Sequence, residues 1–275
     1  MDKLVVAVAQ FMSLVGDKEY NYKKMEKLAR QAREEHKADL LLFPEVSLTG
    51  GGVYSREDVM KIGEELHGEY VERFRALSKE LDMDISFGMV ERDGDKCYNT
   101  LVLCEPDGNF GWYRKVHLPH AGCDCFVDRG DKFVAMDTRF GKVGLMICYD
   151  LRFPEIARAL ALDGARLLLV SSCMSSEGSK RVLSMLVRAR ALENRVFVLY
   201  SNWVGKNEKV TYLGLSHMAD PVGDILADAG GTEEGIVSHS IDLSVADDKS
   251  ILAPYCDVFI FEDRQPQCYG RLMEK

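Results

Sequence analysis

Short apolar runs alternate with amphipathic stretches along most of the chain, and this alternation leaves few architectures open. Lys3–Gln10, Leu40–Phe43, Asp84–Glu91, Thr100–Cys104, Gly111–Lys115, Lys142–Ile147, Arg166–Ser171 and Val196–Ser201 read as strands. Pro44 stops the second of them. Asn21–Glu35, Glu69–Leu81, Phe153–Leu162 and Lys180–Asn194 read as helices. Met25, Leu28 and Ala32 form a stripe at i, i+3, i+7, and Pro154 suits a first helical turn. Asp93-Gly94-Asp95 and Pro106-Asp107-Gly108-Asn109 are turn sequences. Met218–Leu226 and Gly235–Leu243 read as further β-structure. Strands alternating with helices imply an α/β domain with helices packed on sheet faces. No Pro-, Gly- or Ser-rich linker interrupts the pattern, so residues 1–275 are expected to form a single domain.

Composition narrows the function classes. The chain has 275 residues, 47% hydrophobic and 29% charged, which is ordinary for a globular protein. Its 35 basic and 44 acidic residues give a net charge of −9, and no long Lys/Arg run occurs. Nucleic-acid binding and a polybasic membrane anchor are therefore not expected. The apolar runs are far shorter than a membrane span needs. Met1–Phe11 lacks the pattern of a signal peptide. The eight Cys (97, 104, 123, 125, 148, 173, 256 and 268) are expected as free thiols in a cytoplasmic protein, because a core of this size does not need a disulfide framework.

Three residues sit where chemistry is feasible. Cys148 ends the run Val143-Gly144-Leu145-Met146-Ile147, before a turn and a helix. Glu45 follows the Pro that closes Leu40–Phe43, and Lys115 ends Gly111-Trp112-Tyr113-Arg114. Taken singly, each has an ordinary alternative: a packing thiol, a solvated loop Glu, a surface Lys.

Together they resemble a family. Phe43-Pro44-Glu45 with Leu48-Thr49-Gly50, Arg114-Lys115-Val116-His117-Leu118, and Ile147-Cys148-Tyr149-Asp150-Leu151-Arg152-Phe153-Pro154-Glu155 are similar to the three signature blocks of the nitrilase superfamily of carbon–nitrogen hydrolases. Arg188-Ala189-Arg190-Ala191 with Glu193-Asn194, and Ser201-Asn202, resemble its next two segments. The likeness runs from residue 3 to about 245. The run Cys-Tyr-Asp-Leu-Arg-Phe-Pro-Glu looks most like the Nit-like amidase branch, which hydrolyses small amides.

The resemblance implies a four-layer-forming α-β-β-α sandwich, paired sheet to sheet across a homodimer or built into a higher homo-oligomer. It implies hydrolysis of a non-peptide C–N bond in a small-molecule amide through a Cys148 thioester, with ammonia or amine released and no cofactor. A free thiol is only a few per cent thiolate at neutral pH. Glu45 would act as its base. Lys115 and the backbone N–H of Tyr149 would face the oxyanion.

Departures from the pattern keep other readings open. The family's second Glu lies seven residues before the Gly of a Pro-Gly-Asp. Here the tripeptide is Arg129-Gly130-Asp131, and the count lands on Cys123, beside Asp124. Asp124 as substitute, a differently held substrate, and a non-catalytic binding protein are the alternatives. His117, His120, Cys123 and Cys125 form a cluster of zinc-type ligands, tighter than usual sites and with an awkward C-x-C chelate. An acyl transferase would share the thioester. Arg152 matches a position that can hold a substrate carboxylate, with a salt bridge to Glu155 or Asp150 as its alternative. That position points to a dicarboxylic acid monoamide or an N-carbamoyl amino acid. Tyr54 and Asn202 fall near the expected pocket walls, with loop packing and backbone capping as their alternatives. Gly50-Gly51-Gly52 reads as a flexible segment beside Glu45. The aromatic stretch Ile251–Lys275 fits either a subunit contact or its own subunit.

Overall fold

The computed structural model describes residues 2–175, 178–206 and 210–274. Nine strands and five helices carry the argument: β1 (Lys3–Gln10), α1 (Lys18–Glu34), β2 (Leu40–Leu42), α2 (Arg56–Ile62), α3 (Glu69–Leu81), β3 (Asp84–Asp93), β4 (Lys96–Cys104), β5 (Phe110–Arg114), β6 (Val134–Thr138), β7 (Gly141–Ile147), α4 (Pro154–Leu162), β8 (Leu167–Ser171), α5 (Gly178–Asn194) and β9 (Phe197–Ser201). One six-stranded sheet runs Gly235–Asp242, β1, β2, β3, β4, β5. The other runs Ile225–Asp228, His217–Ala219, β9, β8, β7, β6.

Period-two side-chain alternation builds the layers. On β1, Leu4, Val6 and Val8 join Leu40, Leu42, Leu101 and Leu103 in a buried cluster with β7, β8 and β9. Ala7 and Ala9 face the other way, onto Met25, Ala29 and Ala32 of α1 and Phe74 and Leu77 of α3. On the second sheet Leu160 of α4 and Leu183 and Val187 of α5 close the far side. The α-β-β-α sandwich is therefore complete within one chain. This corrects the expectation that sheets pair across a dimer: each sheet's inner face is covered by the other sheet of the same chain.

Local signals explain where the elements differ from expectation. α1 begins at Lys18 because the Asp17 side chain accepts from the Tyr20 N–H. α2, whose acidic Glu57-Asp58 lies in its first turn, is capped by Ser55. β4 begins at Lys96: Cys97, Tyr98 and Asn99 do not alternate in polarity but are buried. β6, which pairs with β7, has no clear apolar alternation. Among the described residues no helix is long and apolar enough to cross a membrane.

Topology gathers the chemistry. β1, β2 and β3 are parallel, as are β7, β8 and β9, and Ile147, Ser171 and Ser201 lie level in register. The segments leaving β2, β7, β8 and β9 thus open at the carboxyl ends of parallel strands, where α/β proteins place ligands. β5 reverses direction twice relative to β3, so Lys115 emerges at the same edge.

Asp84 makes a separate prediction about stability. It is fully buried at the start of β3, and Arg139 Nε lies 2.8 Å from Oδ1. Beyond this contact neither carboxylate oxygen has a hydrogen-bond partner among the described residues. Burial pushes its pKa up to about 7, against the pull of Arg139. Folding then favours the protonated form, so stability is highest below the unfolded pKa and falls as pH rises towards 7. Asp84→Asn is expected to stabilise the protein by about 2–4 kcal/mol at pH 8 and by much less at pH 4. Urea melts at the two pH values check this; an equal effect at both would contradict it.

Candidate active site

Glu45, Lys115 and Cys148 come from three separate segments and meet at the strand edge. Glu45 is held on every side. Its backbone N–H donates to Ser172 O at 3.2 Å, and its carbonyl accepts from Trp203 Nε1 at 2.8 Å. Gly88 on β3 lets the Glu45–Val46 backbone press against it: a Cβ there would lie 2.3 Å from Val46 N. The Glu45 Oε1 accepts from Lys115 Nζ at 2.7 Å and Asn99 Nδ2 at 2.7 Å. Oε2 accepts from the Cys173 N–H at 2.9 Å.

The Lys115 ammonium is fully buried and bridges two carboxylates. It lies 2.7 Å from Glu45 and 2.6 Å from Asp124 Oδ2. Asp124 sits on a 3₁₀ turn, Gly122–Cys125, and its Oδ1 accepts from Asn99 Nδ2 at 2.9 Å. The structure thus brings Asp124, not Cys123, to the lysine. Cys123 is buried beside Gly51, where an added Cβ would lie 3.8 Å from the Cys123 sulfur.

Cys148 opens a 3₁₀ turn, Cys148–Arg152, with φ of +43°. A non-glycine residue there carries backbone strain. Asp150 ties this turn to the Lys115 segment. Its carboxylate accepts from the Ile147 N–H at 2.9 Å, Tyr113 Oη at 2.9 Å and the His117 backbone N–H at 3.3 Å, and pairs with His117 Nδ1 at 2.8 Å. The His117 ring stacks on Phe153 at 3.9 Å. Arg190 Nε of α5 donates to Leu151 O at 3.1 Å and braces the turn from behind.

Charges in the cluster follow from these contacts. Burial works against the Lys115 charge, but Glu45 and Asp124 outweigh it and hold the ammonium well above its usual pKa. Burial also opposes the Glu45 charge, yet Lys115, the Cys173 N–H and Asn99 together lower its pKa. Asp124 goes up, through burial and then the nearby Glu45 charge. The Cys148 thiol is pushed up to about 12, by burial and then Glu45, against Lys115 and the Ser172 hydroxyl. At rest the site holds an ionised Glu45, a charged Lys115 and a neutral thiol.

Above these groups lies a cavity of about 430 Å³, lined among others by Cys148, Tyr149, Arg152, Met174, Trp203 and Tyr212. That size suits a small organic molecule. Arg152 is exposed and makes no ion pair among the described residues; Asp150 is taken by other donors. Neither Tyr54 nor Asn202 is among the described residues that line this cavity. Tyr54 is 64% exposed and lines an adjacent groove with Val15, Lys18 and Lys61. Asn202 is buried and clamps backbone. Its Oδ1 accepts from the Met174 N–H at 2.7 Å, and its Nδ2 donates to Gly214 O at 2.8 Å. It acts on the cavity through Met174.

The His/Cys ligand cluster does not assemble. Cys123 is buried, Cys125 and His120 are exposed, and His117 is held by Asp150. Among the described residues no group of three or more His, Cys, Asp or Glu is placed to hold a metal. Asn99 and Cys173 are the residues that sequence reasoning passed over. The available signal was Asn99 as a polar residue inside an apolar stretch, since such a group is buried only with partners.

Comparison with known proteins identifies the family. The sequence model described as carbon-nitrogen hydrolase matches residues 5–249. A protein named nitrilase from Pyrococcus abyssi is 34% identical over 268 residues, 97% of this chain and 99% of its own. The omega-amidase NIT2 of Homo sapiens is 31% identical over 81% of this chain and 82% of its own. The crystal structure of Saccharomyces cerevisiae Nit3, of the nitrilase superfamily, superposes with a TM-score of 0.80 at 27% identity, covering 90% of this chain and 92% of that one.

Proposed function

The chain belongs to the carbon-nitrogen hydrolase family, in the Nit-like amidase branch of the nitrilase superfamily, and from that premise we propose that Cys148, Glu45 and Lys115 cleave a small amide through a thioester on Cys148. The observation that carries this reading is the Lys115 ammonium, held 2.7 Å from Glu45 and 2.6 Å from Asp124, two carboxylates that line the Cys148 cavity.

The resting charges set the order of events. With the thiol near 12 and Glu45 lowered, no standing thiolate exists. Sγ attacks the amide carbon as its proton passes to Glu45, so bond formation and proton transfer are coupled. The carbonyl oxygen becomes an oxyanion facing Lys115 and the Tyr149 N–H. Collapse breaks the C–N bond, and the leaving nitrogen takes the proton from Glu45. Water then gives a proton to Glu45 and attacks the thioester, and Cys148 leaves with that proton. Asp124 serves as the second carboxylate of the site, fixing Lys115 from the side opposite Glu45. Ammonia release from a panel of small amides tests the activity. No release above the Cys148→Ala background at high enzyme concentration would point instead to a binding protein.

Substrate choice follows from Arg152. It is a guanidinium at the cavity wall with no ion pair among the described residues, which favours an amide carrying a carboxylate. The name omega-amidase on one relative is in keeping with such a substrate. Arg152→Ala is expected to raise KM for a dicarboxylic acid monoamide by about tenfold, roughly 1.4 kcal/mol. KM for a neutral amide of the same length should stay within about twofold. Equal changes for both substrates would remove Arg152 from carboxylate recognition.

A further inference from the structure

One lysine cannot balance two buried carboxylates, and the cluster around Lys115 contains both Glu45 and Asp124. The excess negative charge must be met by neutral donors or by a proton. Asn99 supplies the donors. Its side-chain amide donates to Glu45 Oε1 at 2.7 Å and to Asp124 Oδ1 at 2.9 Å. Its backbone carbonyl accepts from the Lys115 N–H at 2.8 Å. Among the described residues, Lys115 and Asn99 are the side chains bonded to both carboxylates, so the four residues form a closed ring.

The amide orientation is dictated by this ring: turned over, its oxygen would face two carboxylates. In the orientation present, Oδ1 is buried and has no hydrogen-bond partner among the described residues. An orphaned acceptor in mid-strand costs stability, and a purely structural residue there would be apolar.

We infer that Asn99 is a positioning residue, which holds the Glu45 and Asp124 carboxylates in place on either side of Lys115 and keeps Glu45 available as the proton acceptor for Cys148. The inference rests on the proposed role of Glu45 as base. Charged and titratable groups converge on the ring from every packed element: Lys115 after β5, Asp124 and Cys123 from the 3₁₀ turn, Cys148 after β7 and Cys173 after β8. Removing the Asn99 donors leaves Asp124 with Lys115, and Glu45 with Lys115 and the Cys173 N–H, and both carboxylates then hold protons to higher pH.

The test needs no substrate. The rate of Cys148 alkylation by iodoacetamide is followed by peptide mass from pH 2.5 to pH 9 in the full-length wild type, Asn99→Leu, Asn99→Ser and Glu45→Gln, because the lowered Glu45 pKa puts the wild-type limb below the usual carboxylate range. In the wild type the rate should fall on the acid side as Glu45 gains a proton, and Glu45→Gln should abolish that limb. Asn99→Leu should move the limb up by about one to two pH units, and Asn99→Ser, with one donor left, should fall between. Circular dichroism confirms the fold of each variant; if Asn99→Leu is not folded, the Asn99→Ser shift decides alone. A limb abolished by Glu45→Gln but unmoved in a folded Asn99 variant overturns the role of Asn99 and leaves Glu45 as base. A Glu45→Gln profile like the wild type's overturns both.

Discussion

Lys115→Met is expected to remove nearly all turnover and several kcal/mol of stability together. The ammonium is fully buried and holds two carboxylates within 2.7 Å. Its removal leaves Glu45 and Asp124 buried without a counter-charge, and breaking such a pair typically costs about 3–5 kcal/mol. The oxyanion also loses a donor, worth about two to three decades of rate. Linkage gives a further signature. In the wild type the lowered folded pKa of Glu45 contributes stability that is present above its unfolded pKa and lost as pH falls through the folded value. In the variant both carboxylates have raised folded pKa values, so its stability should improve as pH falls from 8 towards 5. Urea melts of both proteins at pH 5 and pH 8 check this. A variant destabilised equally at both pH values would mean that the carboxylates do not depend on Lys115.

Cys148→Ala is expected to lower kcat/KM by about four decades or more, because residues that form the covalent intermediate have no substitute in the site. Its stability should stay close to that of the wild type. Cys148→Gly should lose as much activity yet be more stable than Cys148→Ala by about 1 kcal/mol, since φ of +43° suits glycine and strains alanine. Activity within tenfold of the wild type in either variant would dismiss Cys148 as nucleophile. Alanine and glycine variants of equal stability would dismiss the strain. The pair of substitutions separates chemistry from backbone geometry at one position.

Much of this was legible beforehand. The helix Glu69–Leu81 and the strand Lys3–Gln10 stand where periodicity placed them. The blocks around Glu45, Lys115 and Cys148 were visible through resemblance, and the structure brings these three residues together. What was left open has physical causes. Arg56–Ile62 is short and its apolar positions are few, so capping by Ser55 rather than a stripe defines it. Tyr54 and Asn202 lie beside cavity-forming segments in sequence, but side-chain direction cannot be read from adjacency. Tyr54 is exposed, and Asn202 clamps backbone, the alternative the sequence left open for it.

The sequence alone determined an α/β domain with helices packed on sheet faces, because alternation with period two and amphipathic helices can bury their apolar faces in few ways, while the α-β-β-α layering came through resemblance. It also determined the chemical types at the site. Only the tertiary structure decided that Asp124 reaches Lys115 while its neighbour Cys123 is buried, and that Asn99 joins the two carboxylates. Those outcomes depend on hydrogen bonds between strands and turns far apart in the chain. Such bonds are set when the sheets pack and the lysine must be paired to be buried, and no local pattern records them.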